Sequence, residues 1–146
     1  MSEIHVRLNI VPPTVTAQQK GVFVRNGRAH FFTKSKVRDA ENLLASLLYM
    51  HKPKEPFRSA VELRATWAFP YRKSEPKRRT ASGEYLPHTT RPDLDNLEKG
   101  LLDVLTRLRF WEDDSLVAQK RTTKAWGPHP FLDIYIREIA EKGGAK

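Results

Sequence analysis

Val61-Glu62-Leu63-Arg64-Ala65-Thr66-Trp67-Ala68-Phe69-Pro70-Tyr71 changes character at every second residue. Successive side chains of an extended chain point to opposite faces. Val61, Leu63, Ala65, Trp67, Phe69 and Tyr71 therefore form one apolar face, with Glu62, Arg64 and Thr66 on the other. The spacing predicts a long, half-buried strand. Proline cannot donate to a ladder, so Pro70 predicts that the strand reaches a sheet edge or bends there. The aromatic side chains have faces on which bases could stack, but so regular an alternation favours a core role.

Upstream of this strand the period changes. Val37, Ala40, Leu44, Leu47 and Leu48 recur at helical spacing, predicting a helix from about Ser35 to His51 that Pro53 and Pro56 close. Before it, Ile4, Val6, Leu8 and Ile10 alternate as a strand stopped by Pro12-Pro13, and Val22–Arg25 and Ala29–Phe32 flank Asn26-Gly27, a strong hairpin signal. Downstream, Leu94, Leu97, Leu101, Val104 or Leu105, and Leu108 mark a second amphipathic helix ending near Arg109. Two more strands are expected at Leu116–Lys124 and Leu132–Arg137, then a fraying terminus over Glu138–Lys146. The expectation is an α+β fold: residues 1–146 as a single domain, a mixed β-sheet flanked by two main helices, and a basic, mobile loop at residues 72–91.

The chain has 146 residues with 26 Lys and Arg against 17 Asp and Glu, a net charge of +9. A small protein so basic commonly meets a polyanion, because neutralising phosphates releases condensed counterions. The absence of cysteine excludes disulfides, thiolate catalysis and cysteine-ligated zinc. His5, His30, His51, His88 and His129 are scattered, and neither a Walker loop, a dinucleotide glycine fingerprint nor a serine elbow is present. No apolar run suits a membrane span and no secretory signal opens the chain, so a cytoplasmic protein without a membrane partner is expected. Arg72, Lys73, Lys77, Arg78, Arg79 and Arg91 in or beside the loop, with Lys120, Arg121 and Lys124 on the unusually polar strand after the second helix, are the candidate DNA contacts.

Two acidic clusters bracket the second helix: Asp93 and Asp95 before it, and Glu112, Asp113 and Asp114 after it. All-oxygen carboxylate clusters suit hard cations such as Mg²⁺, which lower the pKa of an attacking water and stabilise the leaving oxygen of a phosphodiester. A structural reading also stands: Asp95-Asn96-Leu97-Glu98 has the form of a capping box, and Asp113-Asp114-Ser115 that of a turn. Lys99 weighs against it. A cation in the first turns opposes the helix dipole, whereas a lysine there could offset charge on a reacting phosphate.

The run Arg91-Pro92-Asp93-Leu94-Asp95-Asn96-Leu97-Glu98-Lys99-Gly100-Leu101-Leu102-Asp103, followed by Phe110-Trp111-Glu112-Asp113-Asp114-Ser115, resembles the signature of the RusA family of Holliday-junction resolvases. That pattern is an Asp-x-Asp-Asn-Leu-x-Lys stretch opening a helix, an Asp about four residues later, then an Asp-Asp pair. The resemblance implies a homodimer that nicks opposed strands of a four-way DNA junction using Mg²⁺, with Mn²⁺ as a substitute. Asp93, Asp95 and Asp114 match its metal-binding aspartates, Lys99 its essential lysine, and Asp113 a neighbouring acidic position. Leu116 stands where many members carry Gln, and the loop at residues 72–91 is long for the family.

A helix from Asn96 to Leu108 is about 18 Å long. The five residues from Arg109 to Asp113 span at most about 17 Å. The two clusters therefore meet within one chain only if the connection doubles back along the helix; otherwise they, or Lys99, meet across a dimer. The competing functions are a metal nuclease acting on flaps, single strands or RNA, a non-catalytic nucleic-acid-binding protein, and a structural basic protein.

Overall fold

In a computed structural model, which describes residues 2–14, 21–25, 28–32 and 34–140, the Val61 strand is the centre of the molecule. It forms β4 (Val61–Pro70) in a five-stranded sheet with β1 (Glu3–Leu8), β5 (Leu86–Pro87), β6 (Val117–Gly127) and β7 (Phe131–Glu138), in the order β1-β7-β4-β6-β5. Only β4 and β6 run parallel, so the sheet is mixed. A separate hairpin pairs β2 (Gly21–Arg25) with β3 (Arg28–Phe32), Arg25 opposite Arg28. The Asn26-Gly27 turn expected between them lies outside the described residues, as do residues 141–146 of the expected fraying terminus.

Two long helices, α1 (Lys34–Leu48) and α3 (Leu94–Arg107), cover one face of the sheet. The alternation in β4 explains this. Val61, Leu63, Ala65, Trp67 and Phe69 are buried and share a core with Leu132, Ile134 and Ile136 of β7, Leu44 and Leu48 of α1, and Leu97, Leu101, Val104 and Leu105 of α3. The opposite face is polar and internally paired. Glu62 takes bonds from Arg64 at 3.0 Å and Arg137 at 2.6 Å, and Asp133 holds His5 and Arg7. The expected α+β class is what is observed, and no helix among the described residues is long and apolar enough to cross a membrane.

Three local expectations are refined. Pro70 ends an internal strand, since β4 lies between β7 and β6, and at its own position only the β7 side is open. The Tyr71 N–H donates to Gly127 O on β6, so by alternation the donor that Pro70 lacks would face β7, whose pairing with β4 stops at Ala68–Phe131. Residues 72–91, expected as a loop, carry short regular elements. They contain a one-turn helix, α2 (Lys77–Thr80), and the edge strand β5. Buried Glu75 organises the first part, accepting from Arg72 at 2.8 Å and pairing with Arg79 at 3.2 Å. At the other end, Glu138, placed in the fraying terminus, is the last residue of β7, and the Ile139 N–H donates to Ala60 O.

Candidate active site

Helix α3 begins at Asp93, which is extended (φ −68°, ψ 144°) and whose carbonyl accepts from the Asn96 and Leu97 N–H groups at 3.1 Å. Its side chain makes no capping bond. Asp95 sits inside the first turn, one residue past the helix start, so it is not the cap that the capping-box reading requires. Capping thus consumes neither carboxylate. Asp95, Glu98, Lys99 and Asp103 recur at three- and four-residue spacing and form a polar stripe, with Leu102 within it, beside the buried stripe of Leu97, Leu101, Val104 and Leu105.

The C-terminal end of α3 decides what faces that stripe. Phe110 N–H donates to Leu105 O and Arg109 N–H to Thr106 O, both at 3.0 Å, and Arg109 adopts a left-handed backbone with φ 66°. This bonding pattern is the Schellman stop, which turns the chain sharply as it satisfies the last helical carbonyls. The reversed chain is then pinned. Phe110 and Trp111 are buried, Trp111 Nε1 donates to Thr106 Oγ1 at 2.7 Å, and Phe57 donates its N–H to Phe110 O and accepts from the Glu112 N–H. Asp113 caps the next single turn (Asp114–Leu116), accepting from Ser115 N at 3.0 Å; hydrogen bonding from Ser115 holds its carboxyl below the ordinary carboxylate value. Asp114 is thereby delivered to the stripe.

The result is an open cleft of about 300 Å³ lined by Asp95, Glu98, Lys99, Leu102, Asp103, Asp114 and Lys120. Doubling back is the solution adopted: one chain brings Asp95 and Asp114 together, without a partner. Four carboxylates face two lysines, yet among the described residues the one ion pair formed inside the cleft is Glu98–Lys120, at 2.7 Å. Asp95, Asp103 and Asp114 have no cation within pairing distance there, and neither does Lys99 have a carboxylate. Like charges so grouped are unfavourable without a compensating cation. A smaller apolar crevice between α1 and α3, walled by Leu44, Trp67, Leu97 and Leu101, shares Lys99 and Asp103 and adds Glu41.

The other residues singled out in the sequence divide. Asp93 stands two residues before Asp95 but does not line the cleft, and no three acidic or imidazole side chains among the described residues form a ready cage. Asp113 also stays outside the cleft, occupied as a cap. Arg72 and Arg79 are engaged by Glu75, and Arg72 lies over the Trp126 ring at 3.8 Å. Lys73, Lys77, Arg78, Arg91 and Arg121 are exposed, and none of them pairs with a carboxylate among the described residues. Lys124, also among the expected DNA contacts, is engaged within the chain. Its ammonium donates to Pro92 O at 2.8 Å and to Thr90 O, fastening the backbone that leads into Asp93.

The sequence reasoning missed Glu98 as a cleft residue, although its place three residues after Asp95 carried the signal. It also missed His88. This side chain is buried and stacked on Trp126 at 4.4 Å, and burial, then Lys124, pushes its pKa below the ordinary histidine value.

Comparison with known proteins adds an independent line. A family model described as endodeoxyribonuclease RusA matches residues 11–137. A crossover junction endodeoxyribonuclease of Lactococcus phage r1t is 33% identical over 138 residues, covering 94% of this chain and 98% of the relative. An uncharacterized Bacillus subtilis protein, YqaN, is 29% identical over 121 residues, 80% of this chain and 84% of the relative. The crossover junction endodeoxyribonuclease of Escherichia coli K12 is 45% identical over 40 residues, 27% of this chain and 33% of the relative.

Proposed function

The chain belongs to the RusA family of endodeoxyribonucleases, and on that premise we propose that it is a Mg²⁺-dependent Holliday-junction resolvase, a cytoplasmic homodimer that makes paired nicks in four-way DNA junctions. One observation carries the reading: Asp95 and Asp114, separated in sequence by a helix, converge with Lys99 on a single open cleft, their carboxylates unpaired among the described residues.

The donors fit a hard divalent cation. Mg²⁺ is usually held by one or two carboxylates together with substrate phosphate and water rather than by a closed protein cage. Two cleft carboxylates meet that need; Asp93, outside the cleft lining but free of capping and two residues before Asp95, would be a third donor on the family resemblance. When bound, Mg²⁺ or Mn²⁺ supplies polarisation of the phosphodiester and a water acidic enough to attack it. Lys99 offsets the negative charge that grows on the phosphate. The exposed Lys73, Lys77, Arg78, Arg91 and Arg121 contact flanking phosphates and orient the branched substrate without reading its sequence.

The test is cleavage of a synthetic four-way junction, compared with linear duplex and flap DNA, by the wild type and the Asp95→Asn and Asp114→Asn variants. Each substitution is expected to lower Mg²⁺-supported nicking by at least about a hundredfold, while junction binding in Ca²⁺ persists. Equal cutting of all three substrates would leave a nuclease without junction preference. Full activity in both variants would end the metal-site reading.

A further inference from the structure

Lys120 is paired with β4 opposite Leu63, so its side chain lies on the helix-covered face of the sheet, while Gln119 and Arg121 point to the other. A lysine there meets the first turns of α3. What it meets is Glu98, whose side chain is only 13% exposed and whose two oxygens are both engaged: Oε1 by the Lys120 ammonium at 2.7 Å, Oε2 by the Thr122 hydroxyl. Thr122 is on the same face of β6, two residues on.

With one bond on each oxygen, Glu98 keeps only part of its acceptor capacity for a metal. Lys120 differs, because an ammonium has three donors and Glu98 takes one. Its side chain is 43% exposed, and it lines the same cleft as Asp95 and Asp114. The pair therefore holds a cation in the wall of an otherwise acidic cleft at little cost in freedom. A surface lysine would have to be ordered afresh on each encounter with substrate, losing side-chain entropy.

From this arrangement we infer that Lys120 contacts a phosphate of the strand being cut and that Glu98, steadied by Thr122, is the positioning residue that keeps its ammonium in the cleft. The inference rests on the nuclease reading above and adds to it a second cleft lysine with its own counter-ion.

The experiment is a double-mutant cycle on Glu98→Gln and Lys120→Ala, with Lys120→Arg as the conservative control. Junction affinity is measured in Ca²⁺ over a salt series, kcat and KM in Mg²⁺, the Mn²⁺ midpoint by titration, and Tm throughout. Lys120→Ala is expected to weaken junction binding several-fold and to make the salt dependence shallower by about one unit, the loss of one phosphate contact. Lys120→Arg retains the slope. Glu98→Gln is expected to leave affinity and the Mn²⁺ midpoint within about twofold but to lower kcat by about tenfold or more, the effect of a misplaced group. In the Lys120→Ala background it lowers kcat no further.

Additive losses in kcat would assign Glu98 a separate role and overturn the inference. A shifted Mn²⁺ midpoint in Glu98→Gln would make it a ligand instead. An unchanged salt slope in Lys120→Ala would remove the phosphate contact. If Glu98→Gln does not fold, the two Lys120 variants still decide through the slope. If the wild type cuts no junction, the nuclease reading fails by itself, and the slope still reports whether Lys120 touches DNA.

Discussion

Replacing Lys124 with Met keeps the aliphatic stem and deletes the ammonium that holds Pro92 O at 2.8 Å and Thr90 O. A hydrogen bond from a charged donor contributes about 1.5–3 kcal/mol net. Thr90 is exposed and water can replace the donor there, whereas Pro92 is buried, so the pair together is worth about 2–3 kcal/mol rather than twice the single value. For a chain of this length each kcal/mol moves Tm by about 3 °C, giving an expected fall of about 6–9 °C. The functional consequence follows from the next residue. Asp93 projects from the segment that Lys124 fastens, and its carbonyl starts α3. A displacement near 1 Å there is expected to reduce kcat by up to about a hundredfold. Junction affinity in Ca²⁺ and its salt slope should change little, because the ammonium is turned towards the Thr90 and Pro92 carbonyls. Calorimetry, a Ca²⁺ binding series and single-turnover cleavage measure the three quantities. An unchanged Tm together with a salt slope shallower by about one would refute the reasoning and restore Lys124 to the DNA contacts expected from its place on a basic strand.

Two further outcomes follow from the same structure. Arg109 occupies a left-handed backbone position (φ 66°) where glycine is at ease, so Arg109→Gly is expected to raise stability by up to about 1 kcal/mol. That gain is net of the lost bond from its guanidinium to Glu112 O, and a Tm raised by about 3 °C checks it. His88 is held neutral by burial, with Lys124 and Arg72 also opposing its charge, whereas the unfolded chain takes up a proton near 6.5. Acidification therefore favours the unfolded state. The stability is fully present above about 6.5, declines as pH falls towards the lower native value, and levels beneath it. Tm compared at pH 7.5 and 5.5 should fall less in His88→Phe than in the wild type. Glu62, kept below its ordinary value of 4.5 by hydrogen bonds from Arg64 and Arg137, adds a separate loss only in more acidic solution.

The period of the apolar residues alone determined much of this protein. Val61 to Phe69 had to be a strand with one buried face, and Leu97, Leu101, Val104 and Leu105 had to be the buried stripe of a helix, because 2.0 and 3.6 residues per repeat are set by backbone geometry. The same periodicity put Asp95, Glu98 and Lys99 beside that stripe, and the spacing of the two acidic clusters named the family before any coordinates. What the linear order could not supply was which long-range partner each polar side chain takes. Lys124, Arg72 and Arg79 read from the sequence as free cations, and only the fold supplies their partners in Pro92 O and the buried carboxylate of Glu75, brought against them from distant or turned segments. Asp113 and Asp114 are neighbours with opposite fates, one capping a turn and one lining the cleft, a division made by local backbone direction. Whether Asp95 meets Asp114 within one chain was undecidable from lengths alone, because about 17 Å of connection and about 18 Å of helix nearly match. The left-handed turn at Arg109 and the burial of Phe110 and Trp111 decided it, by reversing the chain where the helix ends and giving the returning segment a core to pack against.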